Sequence, residues 1–148
     1  MHPFQPHHLS ALILGLLAVT SQSLGINCRG SGMCSIGTDG LAAENLRNSI
    51  NGINDNKYFK AGEHIACDPR VGPSFPIPWT PQLGGGICAF VQSIDGMDGR
   101  TVKRLAQAIV DHKCKTCGSA PLRDNDVKYG QLTFNYVEKP KCDEGICD

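Results

Sequence analysis

Two segments of the chain carry apolar residues at helical spacing. Between Asp98 and Cys114, apolar residues recur at intervals of three and four positions, and Asp98 precedes them as a candidate cap. The same spacing recurs from Asp39 to about residue 51, with Thr38 and Asp39 as candidate caps. The pattern predicts two amphipathic helices, each with one apolar stripe to bury.

Two other segments have the alternating pattern of half-buried strands. They cover residues 87–94 and 131–138, and in the second Leu132, Phe134 and Tyr136 occupy every second position. Shorter strands are predicted over residues 26–29 and near residues 64–67. One face of such a sheet must be covered, and the two helices are available to cover it. We therefore predict an α+β fold, a small α/β sandwich.

The first 23 residues have the organisation of a secretory signal peptide. A polar, histidine-rich start precedes an apolar run over residues 11–20, and the small residues Ser21 and Ser23 suit a signal peptidase. The run is shorter than the roughly 20 residues that a membrane span requires. We expect a mature domain over residues 24–148 that is secreted, extracellular and not inserted into a membrane.

Composition limits the class of partner. The chain has 14 basic and 14 acidic residues, so it lacks the excess of Lys and Arg with which proteins neutralise the phosphates of nucleic acids. We expect no nucleic-acid partner.

The residues of the mature chain do not suggest an enzyme. Its two histidines are His64 and His112, and it contains none of the serine-hydrolase or zinc-protease motifs. Its closely spaced aspartates are the pairs Asp95/Asp98 and Asp124/Asp126. Both pairs fall in predicted turns, where Asp commonly bonds its own backbone. We predict no catalytic activity and no cofactor.

A proline-rich segment over residues 68–86 separates the two halves of the domain. Its five prolines and terminal glycines exclude a helix or a continuous strand. It also contains Phe75 and the only tryptophan, Trp79. These aromatic side chains either contact a partner or fold back to anchor the loop.

Eight cysteines indicate either disulfides or metal binding. Cys114 and Cys117 form a C-x-x-C motif that could complete a zinc site with Cys28 and Cys34. In a secreted chain, two disulfides formed from these four sulfurs are the preferred interpretation. We therefore predict no metal site.

Several short motifs, in order and spacing, resemble the fungal killer-toxin family typified by killer protein 4. The resemblance covers roughly residues 24–142. The motifs are Leu24-Gly25-Ile26-Asn27-Cys28-Arg29-Gly30-Ser31 followed by Cys34, Val91-Gln92-Ser93, Cys114-x-x-Cys117-Gly118-Ser119-x-Pro121-Leu122, Asn125-Asp126-Val127, Gly130-Gln131-Leu132-Thr133 and Asn135-Tyr136-Val137.

The resemblance implies both a fold and an activity. The fold is an antiparallel sheet with two antiparallel helices on one side and a split β-α-β connection. The activity is growth inhibition of susceptible fungi, attributed to blockage of voltage-gated calcium channels from outside the cell. A lysine just before a central half-cystine carries that activity in the family, and Ile65 occupies its position here. Lys57 and Lys60 lie a few residues upstream and could present a cation instead.

The resemblance also implies a disulfide pairing. It suggests Cys28–Cys114, Cys34–Cys117 and Cys67–Cys142, which leaves Cys88 for Cys147. The alternative joins Cys67 to Cys88 across the proline-rich segment and leaves Cys142 for Cys147. Sequence alone permits 105 pairings of eight cysteines.

Two functions remain open from the sequence. The first is a secreted, monomeric killer-toxin-like protein that binds a cell-surface protein of a competing fungus or a plant host, such as a voltage-gated calcium channel. The second is a secreted effector or interaction module that keeps the fold without the channel activity. The candidate target contacts are Lys57, Lys60, Phe75, Trp79 and three basic residues of the second helix, Arg100, Lys103 and Arg104. These basic residues also fit a solvated polar helix face.

Overall fold

A computed structural model of the protein describes residues 25–36, 38–69, 84–92 and 94–147. The predicted signal peptide and the aromatic residues Phe75 and Trp79 lie outside the described residues. Within the described ranges, no helix is both long and apolar enough to cross a membrane.

The described chain forms two helices, seven strands and two short 3-10 turns. The helices are α1 (Ala42–Ile50) and α2 (Gly99–Asp111). The strands are β1 (Tyr58–Lys60), β2 (His64–Pro69), β3 (Gly86–Gln92), β4 (Gly96–Asp98), β5 (Gly118–Pro121), β6 (Gln131–Val137) and β7 (Gly145–Ile146). The turns are Gly32–Ser35 and Val127–Tyr129.

Five strands form one antiparallel sheet in the order β5-β6-β3-β2-β7, and β1 pairs with β4 in a separate ribbon. Since β6 lies antiparallel to both β3 and β5, those two strands are parallel to each other. The chain passes from β3 through α2 to β5, with β6 inserted between them. This is the split β-α-β connection that the resemblance implies, and the predicted α+β fold is confirmed.

The two helices pack against each other and run antiparallel. At one end, the Ala43 backbone N–H donates to the Lys115 carbonyl just after α2, at 3.0 Å. In the middle, the Arg47 guanidinium donates to the Gln107 side chain at 3.2 Å. At the other end, the Arg100 backbone N–H donates to the Asp55 carbonyl, in the segment between α1 and β1, at 3.0 Å. The apolar stripes face one side of the sheet, and the core includes Leu46, Ile50, Ile65, Ile87, Val91, Val102, Leu105, Ile109, Leu132 and Phe134.

The predicted elements differ from the observed ones mainly at their ends. The helix α1 begins at Ala42, and its cap residue Leu41 provides no side-chain bond. The prediction that Thr38 or Asp39 caps it is wrong. The Asp39 carboxylate instead accepts the Leu41 backbone N–H at 2.8 Å in the turn before the helix. The predicted strand over residues 26–29 is reduced to one isolated bridge between Asn27 and Ser119.

The cap of α2 gives a testable pH dependence. The Asp98 carboxylate accepts the Thr101 backbone N–H at 2.8 Å, and this bond holds the pKa of Asp98 below its usual range. The stabilisation is therefore present above the unfolded pKa of about 3.9 and is lost as pH falls through the lower folded pKa. We expect D98A to lose about 1 kcal/mol of unfolding free energy at pH 7, measured by urea denaturation.

D98N is the matched control, because Asn is an equally good cap and keeps an oxygen acceptor. It should retain most of the stability at pH 7. A D98A variant as stable as D98N would show that the side-chain oxygen does not support α2.

Candidate functional site

Two disulfides attach the N-terminal segment to the end of α2 and to the β5 region. They are Cys28–Cys114 and Cys34–Cys117, the pairs that the resemblance implies. Because these four sulfurs are bonded to each other, they cannot serve as the thiolate ligands of the alternative zinc site.

Two asparagines of the family motifs reinforce this attachment. The Asn27 amide donates to the Ser119 hydroxyl at 3.2 Å, and its oxygen accepts the Arg29 backbone N–H at 3.0 Å. The Asn135 side-chain oxygen accepts the backbone N–H of Ser31 at 2.9 Å. The motif residues that carry the family resemblance thus include side chains that build the scaffold.

The other four cysteines correct the implied pairing. The structure joins Cys67 to Cys88 and Cys142 to Cys147, so the Cys67–Cys142 and Cys88–Cys147 pairing is wrong. Cys67 and Cys88 occupy directly opposed positions on β2 and β3, with their Cα atoms 4.1 Å apart. All four cysteines lie on the sheet face away from the helices, where the sulfurs of Cys67 and Cys147 are 3.8 Å apart. The pairing thus depends on local strand register within one sulfur cluster.

Ile65, which the resemblance places at the position of the family's lysine, is a core residue. It lies at an irregularity of β2, where the pairing with β3 shifts between His64 and Ala66. A bulge of this kind redirects side chains, and the consecutive residues Ile65, Ala66 and Cys67 are all buried. Ile65 itself is 0% exposed within the core between sheet and helices. The side chain at position 65 is therefore not accessible to a target.

Two predicted contact residues share one carboxylate. The Lys103 ammonium lies 2.7 Å from the Asp55 carboxylate, and the Arg100 guanidinium lies 3.7 Å from it. The hydrogen bond and charge of Lys103 are the main reason that the pKa of Asp55 is lowered. A pocket of about 260 Å³ lies beside this pair and is lined by Asp55, Asn56, Asp98, Arg100 and Thr101. The Lys103 ammonium therefore forms an ion pair within the protein, with Asp55.

The remaining predicted cations are spread over different parts of the surface. The Lys57 ammonium lies 5.1 Å from the centre of the Phe59 ring. Lys60 is exposed at the far end of β1, paired with Gly96 of β4. The Arg104 guanidinium donates to the Leu122 carbonyl at 3.3 Å. The structure therefore groups Lys57, Arg100 and Lys103 near the start of α2 and directs Arg104 toward the β5–β6 connection.

The His64 ring and the carboxylates of Asp98 and Asp126 have structural partners. The His64 Nδ1 accepts the Lys141 backbone N–H at 3.1 Å, and burial, followed by the charge of Lys141, lowers the pKa of His64. His112 is the exposed cap residue at the end of α2. Like Asp98, Asp126 caps a helical turn, accepting the Lys128 backbone N–H.

Sequence reasoning missed one cationic group that the fold assembles. Arg29 lies far in sequence from Lys113 and Lys115. The Cys28–Cys114 disulfide brings all three residues together. The three side chains are exposed. The implied pairing of Cys28 with Cys114 was the signal that could have revealed them, because they are the chain neighbours of those cysteines.

Comparison with known proteins identifies the family. The Kp4 family model matches residues 11–138. The KP4 killer toxin of Ustilago maydis P4 virus is 35% identical over 130 residues, which cover 86% of this chain and 91% of the toxin. The family-model match includes the Cys28–Cys114, Cys34–Cys117 and Cys67–Cys88 disulfides. The chain belongs to the Kp4 killer toxin family.

Proposed function

We propose that the protein is a secreted, monomeric toxin that binds a cell-surface protein of a competing fungus or a plant host cell and inhibits growth. The observation that carries the proposal is the family match, which extends over most of the chain and includes a relative named as a killer toxin. The split β-α-β sandwich and the two N-terminal disulfides agree with it.

The proposed mechanism is antagonism of calcium entry through a voltage-gated channel. Since the chain carries no net charge, attraction to a cation-conducting pore depends on a few exposed cations and not on bulk charge. Lys57, Lys60 and Arg100 are exposed and remain candidate contacts. Lys103 is a weaker candidate because its side chain is only 27% exposed in the 2.7 Å ion pair with Asp55, whereas Arg100 is 78% exposed and lies 3.7 Å from the same carboxylate. Arg104 is directed away from these residues by its bond to the Leu122 carbonyl.

The buried position of Ile65 favours an alternative function. The family's activity-bearing lysine has no counterpart at this site, and the side chain found there belongs to the core. A protein with this change could bind a cell surface without blocking a channel. The alternative is therefore a secreted effector or interaction module with the toxin fold.

A growth assay with varied external calcium distinguishes the two functions. Purified protein is added to susceptible fungi and to seedling roots, and we expect inhibition that added calcium relieves. The control is the same protein after reduction and alkylation, which should be inactive. Inhibition that is indifferent to calcium would contradict the channel mechanism. Binding to the cell surface with no inhibition would instead support the alternative function.

A further inference from the structure

Three cations surround the Cys28–Cys114 disulfide. Arg29 follows one half-cystine, and Lys113 and Lys115 flank the other. The two half-cystine Cα atoms are 5.0 Å apart, and each cation is one residue from a half-cystine. With about 3.8 Å between consecutive Cα atoms, the three Cα atoms lie within about 13 Å of one another. We call Arg29, Lys113 and Lys115 the disulfide-anchored cationic patch.

The backbone of the patch is held at each residue. The Arg29 N–H donates to the Asn27 side chain at 3.0 Å. The Lys113 N–H donates to the Val110 carbonyl at 2.8 Å, and the Lys115 carbonyl accepts the Ala43 N–H at 3.0 Å. The three side chains therefore extend from fixed backbone positions, so binding does not have to order the backbone of the patch.

Lys113 has a conformation that is costly for its residue type. Its φ is 68°, in the left-handed region after the end of α2, where glycine is the usual residue. A lysine is kept here although its backbone conformation is strained, which suggests that the position requires its charge. The helix dipole favours a cation at this end, but that effect does not explain Arg29, which comes from the N-terminal segment.

The charges of the patch are not neutralised by neighbouring carboxylates. In the described part of the chain, the ion pairs all involve Asp55 or Asp126. Asp111, in the last turn of α2, accepts a hydrogen bond from Gln107 at 2.8 Å. The three cations are thus available to an external anion.

We propose that the disulfide-anchored cationic patch is the surface with which the toxin docks on a cluster of Asp and Glu side chains on an extracellular protein, an inference that rests on the proposed function. The planar guanidinium of Arg29 suits bidentate binding of a carboxylate, and two lysines beside it add charge. Lys113 and Lys115 are two residues apart, so their Cα atoms lie within about 7 Å, which is inside the screening length of roughly 8 Å at physiological salt. A neutral chain with a small patch of cations fits a discrete carboxylate cluster better than an extended anionic lipid surface.

The test compares two full-length triple variants with equal changes in charge. R29Q/K113Q/K115Q removes the patch, and R123Q/K139Q/K141Q removes three exposed cations elsewhere. Retention is measured on immobilised poly-L-glutamate, together with sedimentation with vesicles containing phosphatidylserine, binding to susceptible cells and the thermal midpoint. We expect the patch variant to elute at lower salt than the control variant, and to bind cells at least about tenfold more weakly, with an unchanged midpoint.

The outcomes separate this inference from the proposed function. Cell binding and growth inhibition by the patch variant equal to those of the unmodified protein would overturn the inference and leave the proposed function intact. A lower midpoint with unchanged retention would assign the patch a structural role and overturn the inference. Patch-dependent binding to vesicles but not to poly-L-glutamate would overturn it in favour of a lipid. Patch-dependent retention and cell binding without growth inhibition would support the docking surface and contradict the proposed function.

Discussion

Removing both N-terminal disulfides should lower the unfolding free energy by more than the sum of the two losses that result when each disulfide is removed alone. We expect replacement of Cys28 and Cys114 by alanine to lower the unfolding free energy by about 2.7 kcal/mol, and replacement of Cys34 and Cys117 to lower it by a similar amount. Replacing all four should cost about 7.3 kcal/mol. Urea denaturation followed by circular dichroism measures each loss.

The reason is that the two bridges overlap along the sequence, with Cys34 inside the loop closed by Cys28–Cys114 and Cys117 just outside it. They span 86 and 83 residues, so either bridge alone closes nearly the same long loop of the unfolded chain. When one bridge is removed, the other still closes that loop, and only a short loop of roughly ten residues is released. Removing both releases the long loop as well. The expected total is comparable to the whole stability of a typical domain, about 5–15 kcal/mol, so the fourfold variant should be largely unfolded.

The Cys142–Cys147 bridge provides the control. It spans only 5 residues, and replacing both cysteines with alanine should cost about 2 kcal/mol whether or not the Cys34–Cys117 bridge is present. If the fourfold variant lost no more than the two separate losses combined, the two bridges would act independently and the explanation by a shared long loop would be wrong.

The sequence predicted the parts of the fold that have long periodic patterns. The helix α2, with its cap Asp98, and the central strands β3 and β6 were identified from periodicity alone. The short strands β1, β4, β5 and β7 have two to four residues, too few to establish a period. They exist because neighbouring elements pair with them, as β4 does with β1.

The pairing of Cys67, Cys88, Cys142 and Cys147 depended on information that the sequence does not contain. Cys67 and Cys88 are bonded because β2 and β3 pair in one particular register. The irregularity at Ile65 helps to set that register, and no pattern of residues in the sequence predicts the irregularity. The resemblance placed Cys142 among the family half-cystines and implied the wrong pair Cys67–Cys142, while the alternative that the structure confirms stayed open from the sequence. The family-model match ends at residue 138, before Cys142 and Cys147.

The candidate contacts depended on three-dimensional proximity in the same way. Periodicity placed Lys103 on a polar helix face but could not reveal that Asp55, between α1 and β1, would bind it. The patch of Arg29, Lys113 and Lys115 joins two distant parts of the chain through a disulfide. Charge counts along the sequence cannot detect such a group.

A lysine at position 65 should destabilise the protein strongly. Ile65 is fully buried among apolar side chains, so I65K would place an unpaired ammonium in the core and cost about 3–5 kcal/mol at pH 7. The variant I65V, which removes one methylene, should cost only about 0.5–1.5 kcal/mol. Urea denaturation of both variants at pH 7 and pH 9.5 measures the difference.

The pH dependence identifies the cause of that loss. Burial lowers the pKa of a lysine below its unfolded value of about 10.4, so the unfolded I65K chain binds more protons than the folded one between the two pKa values. The stability of I65K relative to I65V should therefore rise with pH in that interval. An I65K variant as stable as I65V at both pH values would show that the lysine reaches solvent past the irregularity of β2. That result would make position 65 available to a target again and would weaken the case for an interaction module without channel activity.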